Sequence, residues 1–150
     1  MCSSDLGMTT QPGLTSQPNY HTLIGSEHRE STPALSVISL DYRPDLQGNP
    51  GEFDPAVIIG IADGVATRCA LQHIDPKADP KPFPLTVHLS SSILRPAKAG
   101  TITVEAKPAF VSPTRVVVEC TAYDADRSPV LTVTTVHLYV AGRVGRRIDG

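Results

Sequence analysis

The hydrophobic period of this chain changes from 3.6 to 2 beyond about Ile74, and that change limits what it can fold into. From Pro55 to about Ile74 the apolar residues recur at helical spacing, with Ile58, Ile61, Ala62, Val65 and Cys69 falling on one face. From Leu85 onward the period becomes that of a strand. Leu85, Val87 and Leu89 alternate with Thr86, His88 and Ser90, and Ile102, Val104 and Ala106 alternate with Thr103, Glu105 and Lys107. Val116, Val118, Cys120 and Ala122 alternate likewise, and a last strand runs from about Val130 to Val140. Within it the apolar phase slips between Val133 and Val136, which predicts a bulge or a strand buried on both faces.

Local signals place the boundaries. Asp54 can cap free backbone N–H groups, and Pro55 suits the first helical position because its missing donor matters least there. The proline-rich run Asp75 to Pro84 ends the helix. Ala34 to Tyr42 reads as an earlier strand, followed by the turn-forming stretch Arg43 to Gly51. Turn signals at Arg95–Gly100, Ser112–Thr114 and Asp124–Pro129 predict four consecutive strands joined as an antiparallel meander. One helix on such a sheet is an α+β layout.

The second face of the helix is unusual. Ala56, Gly60, Asp63, Thr67 and Ala70 are small or carry a short polar group, where a solvent-facing side would show Lys and Glu. The pattern predicts a helix buried nearly all round, with one carboxylate on a face that another backbone or a ligand can approach.

The 150 residues suit one domain. Residues 1–7 resemble a translated sequencing-adapter read, 8–33 read as a flexible lead-in, 34–140 as the domain, and 141–150 as a basic tail. A net charge of −2 and a pI of about 6.2 give nucleic-acid binding no support, and no apolar run reaches the ~20 residues of a membrane span. His21, His28, His73, His88 and His137 stand singly, so neither a metal nor a cofactor is expected. Cys69 and Cys120 read as small buried hydrophobes in a reducing, cytoplasmic setting, not as a disulfide.

The layout resembles the hotdog fold, in which a sheet wraps one central helix, and three stretches resemble its phenylacetyl-CoA-type (PaaI-like) thioesterase branch. Ala56-Val-Ile-Ile-Gly-Ile-Ala-Asp63 is similar to a helix motif that usually opens His-Gly-Gly and ends Leu-Ala-Asp. Ile93-Leu-Arg-Pro-Ala-Lys-Ala-Gly100 resembles a Leu-Arg-Pro-Ala-x-x-Gly turn, and Thr101 to Tyr139 follows the family's last three strands. The resemblance implies an acyl-CoA thioesterase that forms a homodimer or homotetramer with sites at the subunit interface.

By that likeness Asp63 stands where the catalytic carboxylate belongs, as general base or nucleophile, and Thr67 where some relatives orient water or the acyl carbonyl. Asn49 lies in a loop that carries a second polar donor. The backbone N–H groups of Ala56 and Val57 are candidates for the oxyanion site at the helix start. Phe53, Ile59 and Ser91 would line the acyl pocket, and Arg95, Lys98 and Arg115 would meet the coenzyme A phosphates.

One departure matters. The family's His-Gly-Gly is here Asp54-Pro55-Ala56, and proline has no N–H to offer a substrate carbonyl. A non-catalytic hotdog protein that binds acyl-CoA or a related ligand is therefore the alternative. A hotdog hydratase would want a histidine that the helix start lacks.

Overall fold

The computed structural model describes residues 19–141. The expectations for residues 1–7, for most of the lead-in before Asn19 and for the tail beyond Ala141 lie outside them. Within them the order is α1 (Tyr20–Ile24), β1 (Glu27–Ser31), β2 (Ser36–Asp41), a 3-10 turn (Pro44–Leu46), α2 (Pro55–Leu71), β3 (Pro82–Ile93), β4 (Thr101–Val111), β5 (Arg115–Tyr123) and β6 (Pro129–Ala141).

Asp54 and Pro55 start α2 as their chemistry predicts. The Asp54 side chain accepts the Ala56 N–H at 2.9 Å, and Pro55 occupies the first turn. The helix ends at Leu71 instead of Ile74, and Gln72, His73 and Ile74 continue as turns. The predicted apolar stripe of Ile58, Ile61, Ala62, Val65 and Cys69 is buried, and Ala66 and Ala70 join it.

Six antiparallel strands form one curved sheet in the order β1-β2-β4-β5-β6-β3, and α2 packs against all of them. This is the hotdog fold. The expected four-strand meander is corrected to three, β4-β5-β6. β3 precedes β4 in sequence but pairs with β6 at the opposite edge. Hydrophobic alternation reports which face a strand buries and carries no information about its neighbour.

Two other expectations change. Residues 20–33, expected as part of a flexible lead-in, carry α1 and β1, and β1 pairs with β2. β6 has no register shift between Val133 and Val136 along β3 or β5. Its alternation simply continues through polar residues. Val133, Thr135 and His137 are buried, while Val136 and Leu138 are only half-buried on the other face. The shift lies in β3 instead, between Thr86 and His88. Val87, within the shift, and Leu89, beyond it, are exposed rather than in the core.

Cys69 and Cys120 are buried free thiols, as expected, pushed up to about 11 and about 12 by burial. Among the described residues no helix is long and apolar enough to cross a membrane.

Candidate active site

Asp63 and Thr67 stand one turn apart on α2, on the side facing β3 and β6. The Thr86 hydroxyl of β3 donates to Asp63 Oδ1 at 2.8 Å. Thr67 Oγ1 donates to the Asp63 carbonyl at 2.9 Å and lies 3.2 Å from His137 Nε2. His137 Nδ1 lies 3.4 Å from Thr135 Oγ1, and both side chains are fully buried. Burial holds the His137 pKa below the ordinary histidine value, against the opposing pull of the Asp63 charge.

A second histidine approaches from α1. The His21 ring lies against Gly64, where an added Cβ would collide with it, and Tyr20 lies over Gly60 in the same way. His21 Nδ1 is 3.2 Å from Ser26 Oγ. Its pKa is also lowered, first by burial, with Asp63 acting in the other direction. The small face of α2 is thus partly covered by α1. Ala56 is exposed, Gly60, Asp63 and Thr67 are half-buried, and Ala70 is buried.

Thr86, Thr135, His137 and His21 were not among the residues expected from sequence. The signal for two of them was the apparent phase slip in β6, where polar residues occupy inward positions.

A cavity of about 300 Å³ opens at the other end of the site, around the start of α2. Asn49, Phe53, Ile58, Arg95 and Leu131 are among its walls. Phe53, expected in the acyl pocket, is there, with its ring edge-on to Tyr42 at 5.3 Å. Ile59 and Ser91 are not. Ile59 turns half-buried against the core, and Ser91 is exposed on the outer strand. The Asn49 amide donates to Glu52 at 3.4 Å.

The expected oxyanion donors are already engaged. The Ala56 N–H serves the Asp54 carboxylate at 2.9 Å, and the Val57 N–H serves the Asp54 carbonyl at 3.0 Å. The same cap that starts the helix consumes them. Among the expected phosphate ligands, Arg95 is paired with Asp124 at 2.6 Å and donates to the Pro129 carbonyl at 3.2 Å. Lys98 is exposed on the turn bridged to Glu52. Arg115 starts β5 opposite Leu138, at the other end of that strand from the Asp124 that holds Arg95. The three cations do not form one cluster.

A family model for the Thioesterase superfamily matches residues 55–131, from the start of α2 into β6. The chain belongs to this superfamily. Asp63, Thr67 and Thr86 fall inside the matched stretch, and His137 lies beyond it. No curated protein sequence matches the chain. Solved structures similar in fold include a thioesterase from Haemophilus influenzae, at 11% identity and a TM-score of 0.77, covering 90% of this chain and 91% of that one. A thioesterase family protein from Silicibacter pomeroyi matches at 18% identity and 0.75, covering 88% and 96%. A Streptococcus mutans protein bound to acetyl CoA matches at 13% identity and 0.68, covering 79% and 90%. At these identities the likeness is one of fold.

Proposed function

We propose that this superfamily member is an acyl-CoA thioesterase of the phenylacetyl-CoA-type branch, with Asp63 as its general base. The observation that carries the reading is the Asp63 setting. Thr86 ties up Oδ1, and Oδ2 has no hydrogen-bond partner among the described residues, on a half-buried face. Water activated there attacks the thioester carbonyl carbon and gives its proton to Oδ2. The new C–O bond forms as the carbonyl electrons move onto oxygen, and collapse of the tetrahedral adduct breaks the C–S bond while the proton held on Asp63 passes to the leaving sulfur, which releases the coenzyme A thiol and restores the carboxylate. Direct attack by the carboxylate, through an anhydride that water then opens, gives the same products.

The active unit is a homodimer joined through β3, alone or paired into a tetramer. Asp63 does not line the cavity at the helix start, whose last α2 wall residue, Ile58, lies five positions earlier, about 7.5 Å along the axis. A second copy would bring one protomer's cavity to the other's Asp63. The outer strands favour β3 for that contact. β1 is short and carries Glu27, His28, Arg29 and Glu30, which blunt an edge. β3 is 12 residues long and exposes Val87, Leu89 and Ile93. Phe53 and Ile58 would then line the acyl group, with exposed Lys98 offering a cation to a coenzyme A phosphate. The two buried free thiols fit a reducing cytoplasm.

One observation favours a second reading, a protein that binds acyl-CoA without hydrolysing it. Pro55 lacks an N–H, and Ala56 and Val57 give theirs to Asp54. Loss of one oxyanion donor costs about 10²–10³ in rate. Thiol release from a panel of short, medium, aromatic and long acyl-CoAs separates the two readings. Turnover of any member supports the thioesterase, and tight binding with no release selects the binding protein.

A further inference from the structure

We infer that His137 is a positioning residue that fixes the Thr67 hydroxyl as an acceptor for the attacking water. This rests on the reading of Asp63 as the base. A threonine hydroxyl has one proton and two lone pairs. The Thr67 proton goes to the Asp63 carbonyl at 2.9 Å. With His137 neutral and protonated on Nε2, that N–H fills one Thr67 lone pair at 3.2 Å, while Nδ1 accepts from Thr135. One acceptor position then remains on Thr67, one turn from Asp63 Oδ2, which has no hydrogen-bond partner among the described residues. A water that donates to Asp63 Oδ2 and to Thr67 Oγ1 has both protons committed, and its lone pair is left for the thioester carbon.

Two further observations support the assignment. Threonine in a helix divides between two side-chain rotamers, and the Asp63 carbonyl and the imidazole both meet Thr67 in the one observed. His137 is also fully buried at an inward β6 position, where an aliphatic side chain would satisfy the core without desolvating an imidazole.

The test compares His137→Leu, His137→Gln, Thr67→Val and Asp63→Asn on the best acyl-CoA. His137→Leu is expected to lower kcat about tenfold, the size of one hydrogen bond, and to leave KM unchanged. His137→Gln, whose amide N–H replaces Nε2–H, is expected to recover most of it. Unchanged kcat in His137→Leu, beside an inactive Asp63→Asn, overturns the His137 role alone. Full activity in Asp63→Asn overturns the functional reading beneath it. An arm free of turnover uses imidazole ¹⁵N NMR of the full chain. It expects a neutral Nε2–H tautomer for His137 whose resonances move in Thr67→Val. An Nδ1–H tautomer, or no response to Thr67→Val, overturns the inference.

Discussion

Thr86 Oγ1 lies 2.8 Å from Asp63 Oδ1, so the outer strand of the sheet holds the one carboxylate on the central helix. The bond joins two elements that sequence places 23 residues apart, and it decides which carboxylate oxygen faces the open side of the site. Removing it with Thr86→Val is expected to cost about 1 kcal/mol of stability in urea unfolding and to lower kcat about tenfold. Thr86→Ser keeps the hydroxyl and should retain both. A Thr86→Val protein with normal kcat would show that Asp63 needs no such anchor.

The limits of the sequence reading have physical causes. The buried stripe of α2 follows from helical spacing alone, and Asp54 and Pro55 announce its start. Which edge β3 joins does not follow, because alternation describes a strand's faces and leaves its partners open. Thr135 and His137 break the expected apolar rhythm of β6, and the break reads as a bulge or a strand buried on both faces because inward-facing polar residues are uncommon. Tyr20–Ile24 is too short for a periodic signal, yet Gly60 and Gly64 on α2 mark where it lands. Asp54 was legible as a cap. That the cap would consume both candidate oxyanion donors requires coordinates.

Gly64 is expected to control that landing. An added Cβ would collide with the His21 ring, although alanine is intrinsically better than glycine in a helix by about 1 kcal/mol. In Gly64→Ala the ring must leave, so His21 should lose the burial that lowers its pKa and titrate nearer the ordinary 6.5. NMR titration of His21 checks this, and an unchanged pKa would mean that α1 does not depend on Gly64.

Stability should fall as pH drops through the histidine range. His21, His28 and His137 are all held below 6.5, chiefly by burial. Arg68 and His21 add repulsion at His28, and Asp63 opposes the shift at His21 and His137. The unfolded chain therefore binds more protons in this window. The contribution is complete above pH 6.5 and is lost as pH falls toward the folded pKa values. For fully buried His137 the slope reaches at most about 1.4 kcal/mol per pH unit. Tm measured from about pH 7.5 to about pH 5.5 should decline. His137→Leu should flatten the decline, and an identical slope would contradict a depressed His137 pKa.

The β3 edge offers a separate test of assembly. Leu89 is exposed near the middle of that strand, at 37% of its surface. Sedimentation of the unaltered chain should give about twice its 16.0 kDa or a multiple of that dimer. Leu89→Glu, with like charges brought together across the two-fold axis, should shift it to monomer and abolish thiol release. A monomeric, fully active protein would remove β3 from the account.

The most direct measurement is kcat/KM for thiol release by Asp63→Asn against the unaltered chain, on whichever acyl-CoA is hydrolysed fastest. The amide is close to the carboxylate in shape and can still accept from Thr86, but it cannot take a proton from water. A fall of about 10²–10⁴, with acyl-CoA binding retained, is the predicted result. Undiminished hydrolysis would contradict Asp63 as the base.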